Sequence, residues 1–155
     1  SSAASDVYKR QVQGVTEANR VDRIAAVMPR FADTVRRWQA HTGLTPAQTV
    51  LAGFSQGAIM SLESTQVSEP LAERVVAMSG RFAVPPRWAP AGVVWRFIHG
   101  DQDPVIDAEH SLQAAAQLQT LGADAHADVL PGLGHGIDPR ALALLTAALD
   151  RGLVA

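Results

Sequence analysis

The sequence predicts the α/β class, with helices on both faces of a mainly parallel sheet, and two observations carry that prediction. Short apolar runs of strand length, "TVLAG" at 49–53, "RVVAM" at 74–78, "VVWRFIH" at 93–99 and "AHADVL" at 125–130, alternate with stretches whose apolar residues recur at helical spacing. Parallel neighbours need crossover connections, so this alternation implies βαβ units and right-handed crossovers. The second observation is size: 155 residues with 47% hydrophobic content suffice for one real core and are too few for two.

Each element has its own justification. Residues 1–11, "SSAASDVYKRQ", hold the chain's single lysine and single tyrosine, unlike the Ala- and Arg-rich remainder. They are expected to be a non-native or disordered leader, with the folded domain running over 12–155. From Arg20 to His41, Ile24, Met28, Phe31, Val35 and Trp38 form one apolar stripe at steps of four and three, which predicts an amphipathic helix. Pro29 removes a backbone donor inside it, so a kink or break is expected there, and Gly43 should end it. Thr45 and Pro46 read as N-cap and first position of a short helical turn.

After the run at 49–53, "QGAIMSLEST" reads as a helix, and the Pro-rich "VPPRWAP" as the loop before the strand at 93–99. Asp107 is placed to cap a helix that ends at Leu121, with Gly122 as its stop. Asp138 and Pro139 repeat a cap-plus-proline start for a last helix, where Leu142, Leu145 and Leu149 make the expected buried stripe.

Composition narrows the function. A formal net charge of −2, without any Lys/Arg cluster, offers no field for phosphate backbones, so nucleic acid is not an expected partner. No apolar run approaches the length of a bilayer span. The absence of cysteine removes disulfides, thiolate metal sites and a cysteine nucleophile, and fits a reducing, cytoplasmic setting. Histidines and carboxylates are scattered without metal-ligand spacing, so no metal is expected. No G-x-G-x-x-G follows the first strand either, and no cofactor is expected.

Chemistry concentrates at "VLAGFSQGAIM", where "GFSQG" fits G-x-S-x-G, a strained strand-to-helix turn that exposes its serine. Gly53 and Gly57 flank Ser55 where side chains are expected to collide with backbone, and the following helix aims its N-terminal N–H groups and positive dipole at the same spot. A serine hydroxyl becomes a nucleophile only beside a base, which must itself be oriented by an acceptor. In parallel sheets reactive groups gather beyond the carboxyl ends of strands. His135, in the Gly-rich "PGLGHGID" after the last strand, meets that condition as the base. The loop "HGDQDPVI" offers two acids, Asp101 and Asp103, and Pro104 favours Asp103 by fixing the backbone beside it.

The chain order Ser55, Asp103, His135 is that of α/β-hydrolases. With that order, "GFSQGAIM", "HGDQDPVI" and "GLGHGID" resemble the three motifs of the small bacterial phospholipase/carboxylesterase family, relatives of acyl-protein thioesterases, over residues 12–154. The resemblance implies an α/β-hydrolase fold of which this chain is the C-terminal part. It also implies Ser55 as nucleophile, Asp103 as acid and His135 as base, with the backbone N–H of Gln56 as an oxyanion donor.

Upstream strands and a second oxyanion loop, which the resemblance leads one to expect, do not precede the first helix. The chain is therefore expected to be N-terminally incomplete, with its serine-bearing strand left as a sheet edge. The expected partner is a small-molecule acyl ester, and self-association into a homodimer is an open expectation. A catalytically incompetent fragment, and a binding domain with a chance G-x-S-x-G, are the competing readings.

Simpler roles account for other residues. Asp107 and Asp138 are expected caps, His41 a helix-end cation, His110 and His126 surface residues, and His99 a support for the acid-bearing loop. Trp38, Trp88 and Trp95 are expected to pack rather than to form a ligand cage.

Overall fold

The computed structural model describes residues 17–67 and 69–150. The expected leader at 1–11 lies outside them. Helix α1 (Glu17–Thr42) leads through a 3-10 turn (Pro46–Gln48) into β1 (Val50–Phe54) and α2 (Gln56–Val67). Strands β2 (Arg74–Met78) and β3 (Val94–Gly100) follow, then α3 (Glu109–Thr120), β4 (Asp124–Leu130) and α4 (Pro139–Asp150). Every predicted element is present within a few residues of its expected ends.

The strands form one sheet in the order β1-β2-β3-β4, and each pairing is parallel. Among the described residues β1 is therefore an edge strand. Strand periodicity divides the core in two. On one face Val75, Ala77, Trp95 and Phe97 pack with Ala58 and Leu62 of α2 and Ala114, Ala115 and Leu118 of α3. On the other, Val76, Met78 and Ile98 pack with Ala141 and Ala148 of α4.

Helix α2 is buried nearly all round, including Ser61, Glu63, Ser64, Thr65 and Gln66, and each of these polar groups is satisfied. Ser61 Oγ–H donates to Gly57 O (2.8 Å), Ser64 Oγ–H to Ser61 O (2.7 Å) and Thr65 Oγ1–H to Leu62 O (2.7 Å). Glu63 Oε1 accepts the N–H of Ala83 (2.6 Å). Gln66 Oε1 accepts the N–H of Arg87 (2.9 Å), and its Nε2 donates to Trp88 O (3.0 Å). Helix α2 thus clamps the Pro-rich β2–β3 connection, which has no helix of its own.

Several expectations need correction. Helix α1 continues across Pro29 without a break. Pro29 and Ala25, whose carbonyl loses its donor, are both exposed, so water can serve that carbonyl. Only Met28 of the expected α1 stripe is buried, and Trp38 is 65% exposed; α1 packs against α2. Gln39 fastens the C-terminal end of α1, its Nε2 donating to Thr49 Oγ1 (3.0 Å) and to Leu71 O (2.6 Å).

In α4 the expected Leu142 and Leu149 are exposed. The docking face is Ala141, Leu144, Leu145 and Ala148, a stripe one step away in which small residues bring the helix close to the sheet. Trp95 is fully buried as expected, whereas Trp88 is half exposed under Arg87, whose guanidinium carbon lies 5.7 Å from the ring centroid. His126 is exposed, but His110 is half-buried with Nε2 3.1 Å from Arg81 Nη1. Asp107 Oδ1 accepts the N–H of Glu109 (2.9 Å), and Asp138 Oδ1 accepts that of Ala141 (3.0 Å), so both act at helix N-termini.

Candidate active site

Ser55 lies in the turn between β1 and α2 with φ of 55°, a left-handed conformation costly for a residue with a side chain. The sheet and helix hold it there: its N–H donates to Met78 O (2.9 Å) across to β2, and its carbonyl accepts the N–H of Ile59 (3.0 Å). The turn is tight enough that a Cβ on Gly53 would lie 2.3 Å from the carbonyl carbon of Gly57. The steric expectation does not extend to Gly57, where a Cβ would meet nothing within 4 Å. Gln56 is the first residue of α2, and an N–H in that position has no intrahelical acceptor.

The three sequence-predicted side chains meet above the carboxyl ends of β1, β3 and β4. Ser55 Oγ–H donates to His135 Nε2 (3.1 Å), and His135 Nδ1–H donates to Asp103 Oδ2 (2.8 Å). The carboxylate only accepts, so the protonated nitrogen is Nδ1 and Nε2 is free to take the serine proton. The Asp103 carboxylate is fully buried, and the His135 side chain is 17% exposed. Burial pushes the Asp103 carboxyl up, but the N–H of Ile106, the His135 hydrogen bond and the N–H of Val105 together outweigh it and hold the group below the ordinary aspartate range. Both N–H groups reach Oδ1, at 2.9 and 2.8 Å respectively.

The rival acid is elsewhere occupied. Asp101 Oδ1 accepts the N–H of Gly132 (2.7 Å), which ties the acid-bearing loop to the start of the histidine-bearing one. Gly100 makes the same junction possible, because a Cβ there would lie 2.1 Å from Leu133 O.

His99 is wholly buried behind the acid. Its Nε2–H donates to Ile106 O (2.7 Å) and lies 3.2 Å from Asp103 Oδ2, while Ser111 Oγ–H donates to Nδ1 (2.7 Å). It braces the acid loop, the role the sequence suggested. Ser111 and Phe54 escaped the sequence reading. Phe54 lies with its ring centroid 4.9 Å from that of His135. Its place beside the nucleophile in "GFSQG" was the available signal. Among the described residues, no group of three or more His, Asp or Glu side chains is arranged to hold a metal ion.

Comparison with known proteins bears on the family and the fold. The family model described as Phospholipase/Carboxylesterase matches residues 10–151. Esterase YpfH of Escherichia coli (strain K12) is 47% identical over 131 residues, 84% of this chain and 56% of the relative. Acyl-protein thioesterase 1 of Gibberella zeae is 31% identical over 120 residues, 72% of this chain and 51% of that protein. The chain thus spans about half the length of the curated relatives it matches. Among solved structures, esterase PE8 superposes with a TM-score of 0.78 at 31% identity, covering 88% of this chain and 65% of that one. The carboxylesterase of Bacillus cereus superposes with a TM-score of 0.73 at 14% identity, over 86% of this chain and 63% of that one, and at that identity speaks for the fold alone. The fold is that of the α/β-hydrolases.

Proposed function

The chain belongs to the phospholipase/carboxylesterase family, and from that premise we propose that it is a serine carboxylesterase acting through Ser55, His135 and Asp103. The observation that carries this reading is the unbroken hydrogen-bond path from Ser55 Oγ through both nitrogens of His135 to the buried Asp103 carboxylate. His135 Nε2 takes the hydroxyl proton as Ser55 Oγ attacks the ester carbonyl. It then passes that proton to the departing alcohol as the carbon–oxygen bond breaks.

Water next attacks the acyl-enzyme. His135 removes its proton and returns one to Ser55 Oγ as the free acid leaves. Asp103 keeps the imidazole in the Nδ1–H tautomer and offsets its positive charge in each half-reaction. The N–H of Gln56, at the positive end of α2, donates to the oxyanion of each tetrahedral intermediate.

The substrates are small-molecule esters of short to medium acyl chains. Thioester or lysophospholipid hydrolysis are variants of the same chemistry, and a similar protein named as an acyl-protein thioesterase supports including the first. The absence of cysteine supports a cytoplasmic setting. Among the described residues no helix is long and apolar enough to cross a membrane.

A fluorophosphonate probe, which phosphonylates activated serines, tests the assignment in the full-length protein. Labelling should occur and should vanish in Ser55→Ala, with ester turnover reduced by about 10⁴-fold or more. Labelling that survives Ser55→Ala, or a full-length protein that neither labels nor turns over any ester, defeats the reading.

A further inference from the structure

We propose that Phe54 is a positioning residue, whose ring restrains the His135 imidazole. The proposal rests on the hydrolase reading above. It starts from a geometric deficiency. The two hydrogen bonds of His135 leave from opposite sides of the ring, one toward Asp103 and one toward Ser55. Together with Cβ, which lies in the ring plane, they hold the imidazole, but once Ser55 is acylated the Nε2 bond is gone and the ring can swing about its Cβ–Cγ bond against a single partner.

The loop carrying the histidine is tied down on its N-terminal side, where Asp101 Oδ1 accepts the N–H of Gly132 and Leu133 O accepts that of Gln102, so this swing is a motion of the side chain. His135 is flanked by Gly134 and Gly136, and a Cβ on Gly136 would meet nothing within 4 Å. A contact on the ring opposes the swing, and Phe54 supplies one with ring centroids 4.9 Å apart and planes inclined by 43°.

Phe54 is suited to that task and has no competing one. It is the last residue of β1, held by parallel pairing opposite Met78, so its backbone is fixed by the sheet. Its side chain belongs to neither core cluster and is 38% exposed. The contact matters most after acylation, when Ser55 Oγ no longer offers a proton to Nε2. Asp103 and Phe54 are then what keep the imidazole aimed while it activates water.

The test compares Phe54→Leu and Phe54→Tyr with wild type in the full-length protein, following kcat and KM. Phe54→Leu keeps bulk without an aromatic ring. It should lower kcat about two- to fivefold with KM little changed, and Phe54→Tyr should restore kcat. An unchanged kcat in Phe54→Leu, an effect on KM alone, or equal damage from both variants would overturn the proposal.

A second readout does not need turnover. In Ser55→Ala protein, the His135 Cε1 proton should lose its ring-current displacement on Phe54→Leu, and its line should broaden as the ring gains motion. If neither changes, the proposal fails whatever the enzyme does. If wild type shows no turnover while these resonances respond, the hydrolase reading fails and the contact stands.

Discussion

Asp103 must remain ionised while buried, and its surroundings are organised for that. Its two oxygens share three strong donors, the N–H groups of Val105 and Ile106 and the imidazole of His135. With its carboxyl held below the ordinary aspartate range in the folded protein, its contribution to stability is fully present above the unfolded value. That contribution is lost as pH falls through the folded one. Unfolding free energy from urea melts should therefore decline more steeply below about pH 4 in wild type than in Asp103→Asn, which has no such proton to take up. The same substitution should lower kcat by roughly 10³- to 10⁴-fold, since the amide can leave the imidazole in the wrong tautomer. Asp101→Asn should cost far less, because Asp101 holds the backbone of Gly132 and not the ring. At this scale the loop "HGDQDPVI" showed that an acid was present, and Pro104 together with the resemblance favoured the one whose carboxylate reaches His135. The division of labour between the two aspartates was not legible, because it depends on a loop that arrives thirty-one residues later.

The strand-to-helix turn shows what an element requires of its sequence. Gly53 and Gly57 look equivalent in "GFSQG", yet only Gly53 is sterically obligatory, since α2 begins directly over it. Gly53→Ala should push β1 and α2 apart and destabilise by about 1–3 kcal/mol or more. Gly57→Ala enters open space within the first turn of a helix and should be neutral or stabilising by up to about 1 kcal/mol. Thermal unfolding of the two variants separates these outcomes. Elements with a strong period and a clear stop were legible, as with α1 and α3, whose following Gly43 and Gly122 adopt left-handed φ of 73° and 91°. The apolar face of α4 was not. An alternative stripe containing Ala141 and Ala148 is less hydrophobic by composition than one of leucines, but it lets the helix sit closer to Val76 and Ile98.

Across the whole molecule, the central β3 links both cores to the site. Trp95 and Phe97 fill one face, Ile98 the other, and the strand ends at the loop that bears the acid. Phe97→Ala should cost about 3–5 kcal/mol through loss of burial and a residual cavity. Leu142→Ala, on the solvent side of α4, should stay within about 0.5 kcal/mol, and chemical denaturation of both tests the assignment of inside and outside. Periodicity, turn residues and motif order are local properties, so the sequence alone determined the class, the succession of elements and which three side chains meet above the sheet. Which stripe of α4 faces inward, why Gly53 but not Gly57 is fixed, and that a phenylalanine lies against the histidine were decided only by tertiary structure. The first and last are contacts between segments far apart along the chain, and the Gly53 conflict with Gly57 and Ala58 is set by the angle at which β1 turns into α2, so each geometry exists only once the sheet and its helices are packed.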